Sequence, residues 1–354
     1  MTPTPKPTAT PTPTPSPTPS AVPSPTITEF PATSDPNGAL YGIAGENGAI
    51  WFGTISKVSL ATAVVRMTTQ GAVSNTYALP NHEDTLELAA GPNGSVAFAG
   101  AYGDSASVGF VAGGSVTTYP AGAGCGAALI ATGSDGNLWT CGDSTAGSNP
   151  AHIDRVTPQG VVTTFTVPVP GSGATLYGIA PGPDGALWYV GIVAPSTPIV
   201  GRITTAGVVT DYSAAAAAAG AQHPISIVAG PDGAMWFADT ILELEANGRA
   251  AIGRITTSGV VTEYPLSSPS ASPTGITAGY GALWFTDGAD NAVGRITTSG
   301  AITEYTAGIS TGAFPYDITT GPDGAIWFTE WSIGKIGRLS FGTSGSAVRR
   351  SPPR

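Results

Sequence analysis

Charge is scarce in this chain of 354 residues: 13 Lys and Arg and 23 Asp and Glu make up 10% of it, where ordinary soluble domains carry roughly 25%. A coiled coil or long-helix protein, rich in Glu, Lys and Arg at helical spacing, is excluded. Long apolar runs are missing too. No stretch approaches the roughly 18 residues of a membrane-spanning helix, and the longest run of one apolar type is the alanine hexamer at 214–219. Basic residues are especially few. Setting aside Lys6, Arg349, Arg350 and Arg354 in the two termini leaves 9 basic against 23 acidic groups, a balance of −14. With no basic stripe to meet phosphates, nucleic acid is excluded as a partner. The two cysteines, Cys125 and Cys141, allow a single disulfide and neither demand nor forbid an oxidising compartment. They flank one predicted hairpin, whose strict register sets Cys141 opposite Ala128, so a bridge needs the chain before that hairpin to fold back.

Proline (32) and glycine (49) are abundant instead. Ten of the prolines fall in residues 1–25, in an alternating Thr-Pro tract. Each fixes φ and removes a backbone donor, so this tract reads as an extended, disordered stalk with nothing to bury. Thr and Ser interleaved with Pro is also the composition of O-glycosylated stalks, which predicts an extracellular or cell-surface protein. No charged segment followed by an apolar one precedes the tract, so a signal or anchor is expected to have been trimmed or to lie upstream. The competing reading is a cytosolic protein with a disordered tail. Residues 346–354 are expected to be a second disordered tail.

Residues 26–345 repeat themselves. A Gly-closed turn recurs at Gly48, Gly94, Gly136, Gly185, Gly233, Gly281 and Gly324, spaced 42 to 49 residues apart. The clearest copy has four β-branched and aromatic runs at 225–229, 234–239, 252–256 and 260–264, joined in part by tight Asp-Gly and Ser-Gly turns. Such runs are strands of an antiparallel meander. Four strands per period of this length predict an all-β, seven-bladed propeller. Six tryptophans (Trp51, Trp139, Trp188, Trp236, Trp284, Trp327) share one slot in the second strand, with Ala97 in copy two; they are expected to pack between blades. The seventh copy lacks a fourth strand, and residues 26–31 match the fourth strands of other copies. The N-terminal strand is therefore expected to complete the last blade and close the ring.

In such a blade the first-to-second and third-to-fourth turns share one face, and here they are short and uniform. The opposite face carries the long, varied segments, among them 100–108, 141–152, 191–199, 239–251 and 213–222. Recognition belongs on loops held by a rigid scaffold, so this variable face is the expected site for a small-molecule, peptide or surface ligand. A monomer is expected.

The phrases Ala-Leu-Trp-Phe-Thr-Asp, Val-Gly-Arg-Ile-Thr-Thr-Ser-Gly, Ala-Ile-Thr-Glu-Tyr and Ala-Ile-Trp-Phe-Thr-Glu-Trp resemble the virginiamycin B (streptogramin B) lyase family over residues 26–341. The resemblance implies a seven-bladed propeller that opens a cyclic depsipeptide by elimination at its ester. It also implies a His general base and a Mg²⁺ held by carboxylates over the central channel. The family's histidines follow a Pro at the entrance of a first strand. The matching positions here are Tyr41, Leu86, Ala128, Tyr177, Ile225, Thr274 and Tyr316, and none is His. The family's acid, two residues before the last of those histidines, falls on Phe314.

Three carboxylates end the second strands of consecutive copies: Asp239, Asp287 and Glu330. They are metal candidates at the channel mouth, with Mg²⁺ admissible and no cofactor required. The competing expectation is a ladder of ion pairs with the neighbouring Arg254, Arg295 and Arg338. His223, before Pro224, is read either as a displaced base or as a surface connection residue; Tyr316 is the other candidate base. His82 and His152 are expected to be solvated. The segment 287–291 is similar to a Ca²⁺ loop but lacks its sixth-position Gly and terminal Glu. The leading expectation is an exported binding module without the family's histidines. The alternatives are a Mg²⁺-dependent lyase with a rearranged site and a structural surface module.

Overall fold

The computed structural model describes residues 24–32, 38–56, 59–80, 85–102, 105–120, 129–142, 151–169, 174–194, 197–241 and 248–342. They form seven four-stranded antiparallel sheets, each a meander in sequence order except the last. That sheet takes its outer strand from the N-terminus, Thr26–Pro31, which pairs with Lys335–Ser340 from Thr26 opposite Ser340 to Pro31 opposite Lys335. The propeller and its closure are as the repeat arithmetic requires. Blades are numbered 1 to 7 from the sheet that begins at Ala39–Glu46 to the sheet that begins at Pro315–Thr320.

Six of the seven blades are built on a tryptophan, blade 2 having Ala97 in its place. Trp139, Trp188, Trp236, Trp284 and Trp327 are fully buried and Trp51 nearly so. Trp236 packs into the next blade against Ile276, Leu283 and Phe285, and Trp139 against Leu176, Ile179 and Leu187. An aromatic of the same blade's fourth strand stacks on the indole: Tyr264 on Trp236 at 5.5 Å, Phe165 on Trp139 at 5.5 Å, Tyr212 on Trp188 at 5.3 Å. A buried indole N–H needs an acceptor. In blades 3, 4, 5 and 7 the turn aspartate supplies it, at 3.0–3.1 Å from Asp135, Asp184, Asp232 and Asp323. In blades 1 and 6, whose turns lack that aspartate, the backbone carbonyls of Glu46 and Gly279 accept instead.

Two expectations about the variable face change. The segments 100–108 and 191–199 are largely hairpin rather than loop, because strands run to Tyr102 and Val193 and resume at Ser105 and Thr197. Residues 213–219 form a short helix, Ser213–Ala219, closed by Gly220 in the left-handed region at φ 106°. In blade 3, Ile130 lies opposite Thr140, one residue out of step with the expected Cys141–Ala128 register. Cys125 and Ala128 lie outside the described residues.

The closing strand is held by more than its ladder. Phe30 stacks on Trp327 at 5.7 Å, and the Glu29 carboxylate accepts hydrogen bonds from Lys335 Nζ at 2.6 Å and the Ser310 hydroxyl at 2.6 Å. Deleting residues 1–32 is expected to lower the melting temperature by several degrees while deleting 1–22 leaves it unchanged. Equal melting of the two truncated proteins in thermal denaturation would contradict this closure.

Candidate active site at the channel mouth

The first strands of the blades surround the central channel, and most of them do not run straight. In blades 4 and 5 one extra residue, Tyr177 or Ile225, interrupts the register with the second strand. In blades 1, 6 and 7 two residues lie opposite one: Tyr41 and Gly42, Thr274 and Gly275, Tyr316 and Asp317. A bulge leaves a ladder amide without its partner. In blades 6 and 7 a fully buried second-strand threonine accepts it, Thr286 from the Gly275 amide at 2.9 Å and Thr329 from the Asp317 amide at 3.0 Å. The Thr of the Trp-Phe-Thr-acid phrase is thus a support for the bulge.

The bulges place consecutive residues of one strand against the channel. They enclose a cavity of about 400 Å³ at the variable face, whose lining comes from the first strands of all seven blades. Tyr177, Ile225, Thr274 and Tyr316 line its mouth, and Ile43, Leu88, Ile130, Ile179, Ile227 and Ile318 give it an aliphatic belt. Between these layers stand two carboxyl groups, Glu87 and Asp317. Among the described residues no Lys, Arg or His lines it.

Of the positions matched to the family's histidines, Tyr177, Ile225, Thr274 and Tyr316 reach the cavity. Tyr41 meets Tyr316 edge-on at 6.1 Å, Leu86 is buried in the packing of blades 1 and 2, and Ala128 is outside the described residues. His223 is not a surface residue: it is 6% exposed, and its ring lies 5.1 Å from that of Tyr177. His152 begins a third strand and is partly buried; His82 lies outside the described residues.

The ion-pair ladder is not formed. Arg202, Arg254 and Arg338 bridge instead to the turn aspartates Asp184, Asp232 and Asp323 at 2.5, 2.7 and 2.9 Å. The register explains this: each Arg lies opposite the Trp rather than the strand-end acid, and the guanidinium groups of Arg254 and Arg338 cover the indole on the way to the turn. Blade 6 has Tyr280 in place of the turn aspartate, and Arg295 keeps only its place over Trp284, 6.0 Å from the ring. Burial alone would raise the three aspartates, but the Arg and indole hydrogen bonds outweigh it and hold them below the usual carboxylate range.

Asp239, Asp287 and Glu330 are buried at 0–1% exposure, and the two aspartates cap the entrances of their own blades. Asp239 accepts from the amides of Gln222 and His223 at 2.9 and 2.6 Å, and Asp287 from that of Ser272 at 3.0 Å. Each also acts on a glutamate of the fourth strand in its blade: Asp239 on Glu263, Asp287 on Glu304, Glu330 with Glu29. Among the described residues no group of three or more His, Cys, Asp and Glu could hold a metal ion. Asp239, Asp287 and Glu330 therefore do not come together as one such group.

The sequence reading passed over Glu87 and Asp317. Each occupies the position that is Gly in the phrases Tyr41-Gly42-Ile43, Tyr177-Gly178-Ile179 and Thr274-Gly275-Ile276, and a carboxyl there was the available signal. Burial, aided by Asp317, pushes the Glu87 carboxyl well up; burial pushes Asp317 to about 6. Burial and the two carboxyls also drive the Tyr316 hydroxyl well above its usual value.

A seven-bladed propeller with an acidic, base-free cavity in its channel is a channel-mouth site of the kind that repeat rings present. The model of the virginiamycin B lyase family matches residues 88–347, and the chain belongs to that family. A streptogramin B lyase structure is 30% identical and covers 90% of this chain and 98% of its own, with a TM-score of 0.71. The selenomethionine-substituted virginiamycin B lyase of Staphylococcus aureus is 28% identical over 90% of this chain and 100% of its own, with a TM-score of 0.73. The catalytically inactive histidine-to-alanine form of that enzyme, solved with quinupristin, matches equally, at 28% and 0.73 over the same shares. No curated protein matches the chain at a significant level.

The buried glutamates set a pH dependence. Burial, with Asp239, raises Glu263 from 4.5 to about 9; burial, with Glu29, raises Glu330 from 4.5 to about 8. The folded chain keeps these protons through a range in which the unfolded chain has released them, so it binds more protons and loses stability as pH rises from 4.5 to 9. The melting temperature is expected to fall between pH 5 and pH 9, and Glu263→Gln to flatten the fall. An unchanged slope in the variant would contradict the assignment.

Proposed function

We propose that this chain is a ligand-binding propeller that takes a small molecule or peptide into its channel mouth and lacks the ring-opening activity for which its family is named. The observation that carries this reading is the lack of imidazole at the positions matched to the family's histidines, Tyr41, Leu86, Tyr177, Ile225, Thr274 and Tyr316 among the described residues and Ala128 by sequence; His223 begins the first strand of blade 5 two residues ahead of its matched position. In the S. aureus enzyme a single histidine-to-alanine form is catalytically inactive, yet that form was solved with quinupristin. Ligand holding and catalysis are therefore separable in this fold. Proton abstraction at neutral pH would fall here to Tyr316 or to His223, whose ring lies behind the cavity-lining Tyr177. An unperturbed tyrosine is about a thousandth ionised at pH 7, and burial beside two carboxyls lowers that fraction further. The Thr-Pro tract of residues 2–25 supports export and presentation at the cell surface, and we take the propeller to act as a monomer without a cofactor.

One observation favours a lyase with a rearranged site. Asp317, held near 6, is a carboxylate of near-neutral basicity inside the cavity. Titrating the purified chain with quinupristin while following ring-opened product separates the readings. Saturable binding without turnover is expected, and Tyr316→Phe should change the affinity by no more than a few-fold. Robust turnover that disappears in Asp317→Asn would install the lyase.

A further inference from the structure

Glu87 and Asp317 belong to blades 2 and 7, which flank blade 1, and they converge on a single peptide of that blade. Asp317 Oδ2 accepts from the Ile43 amide at 2.8 Å. Glu87 lies over the neighbouring Gly42, where a Cβ would stand 2.5 Å from Glu87 Oε2 and 2.6 Å from the Leu88 nitrogen. Gly42 is thus required by the carboxyl that leans on it: any side chain there would displace Glu87. Gly275 holds Asp317 from the other side, with a Cβ position 3.0 Å from Asp317 Oδ1. Two acids are therefore built into one wall of the cavity, against glycines at which the neighbouring first strand, backbone and carboxyl alike, comes too close for a side chain.

The rest of the cavity matches them in kind. Tyr316 and Tyr177 supply aromatic faces at its mouth, with Tyr41 packed edge-on behind Tyr316. The belt below is aliphatic, and among the described residues the lining holds no Lys, Arg or His, the nearest imidazole being that of His223 behind Tyr177. The groups facing the pair from the packed elements are Tyr41 and Tyr316 with the backbone amides of Ile43, Leu88 and Ile318. None brings a positive charge. Aromatic faces with carboxylates and an apolar surround form the combination that binds an organic ammonium ion.

We propose that the channel cavity is a binding site for an organic cation, a quaternary or protonated amine whose charged head rests against Glu87 and Asp317, and that its binding expels a proton from this pair. The proposal rests on the ligand-binding reading above and names the chemical class of the ligand. The balance is direct. Burial, and the repulsion between two adjacent carboxyls, favour a proton held by the free pair; the bound cation replaces that proton, which leaves to solvent, and no covalent bond changes. Affinity then rises with pH, since each cation bound displaces up to one proton.

Choline and its neutral carbon isostere, 3,3-dimethylbutan-1-ol, test this, because neither gains or loses a proton near neutrality. Calorimetry of the full chain at pH 7 in phosphate and in Tris, buffers of different ionisation enthalpy, reads the proton directly. The expected result is choline binding with a fraction of a proton released and at least about tenfold weaker binding of the isostere. Glu87→Gln should abolish the release and weaken choline; Asp317→Asn, which keeps an acceptor for the Ile43 amide, is the second variant, and near-UV circular dichroism confirms folding of both. Equal binding of choline and isostere, unaffected by either variant, would overturn the cation inference while leaving a ligand-binding cavity. Binding of neither probe also overturns it. The ligand-binding reading itself stands or falls on the quinupristin titration.

Discussion

Everything in this ring hangs from a buried indole that must find a hydrogen-bond acceptor. Packing a large aromatic between blades contributes apolar burial on the order of 150–250 Å² per residue, but the N–H is costly to bury unpaired. The turn aspartate meets that need, and in doing so becomes a fixed negative charge beside the strand-three arginine. The arginine then covers the indole and closes the unit, as in Trp236, Asp232, Arg254 and Tyr264. Three residues on the uniform face thereby settle one another's positions. The opposite face is left out of the arrangement and is free to vary.

The same spacing accounts for the third-strand glycines. Gly253 lies opposite Phe237, and a Cβ on it would collide with the phenyl ring. Gly294 and Gly337 stand in the same relation to Phe285 and Phe328. The Val-Gly-Arg phrase therefore encodes a hole for one ring and a cover for another. Repeat identity follows from side-chain volume as much as from strand propensity.

The sequence disclosed the fold through these local needs. Tryptophan slots, Gly-closed turns and a fourth strand missing at one end and present at the other led to seven blades and the closure by Thr26–Pro31. Ion pairing misled because the Arg and the strand-end acids are close in sequence while the register turns the Arg toward the opposite end of its strand. The cavity was hidden for a different reason. In five blades bulges place consecutive residues against the channel, so strict alternation of strand faces does not reveal which residues line it; in the unbulged blade 2 the family match fell on Leu86, which packs between blades, while its neighbour Glu87 lines the cavity. His223 read as exposed because it precedes a Pro in a connection, yet Asp239 draws its amide into the core.

Seven first strands surround one axis, and of the five bulges among the described residues four carry no carboxyl: only that of blade 7 does, through Asp317, joined by Glu87 from the unbulged blade 2. Sevenfold architecture is thus given a single polar side, centred on blade 1, with Ile225 and Ser226 of blade 5 elsewhere on the wall. A propeller axis cannot orient a guest, since every direction around it is alike. A lopsided wall can, and it would seat a charged guest off the axis, leaving the rest of the mouth to be read by the loops of the variable face.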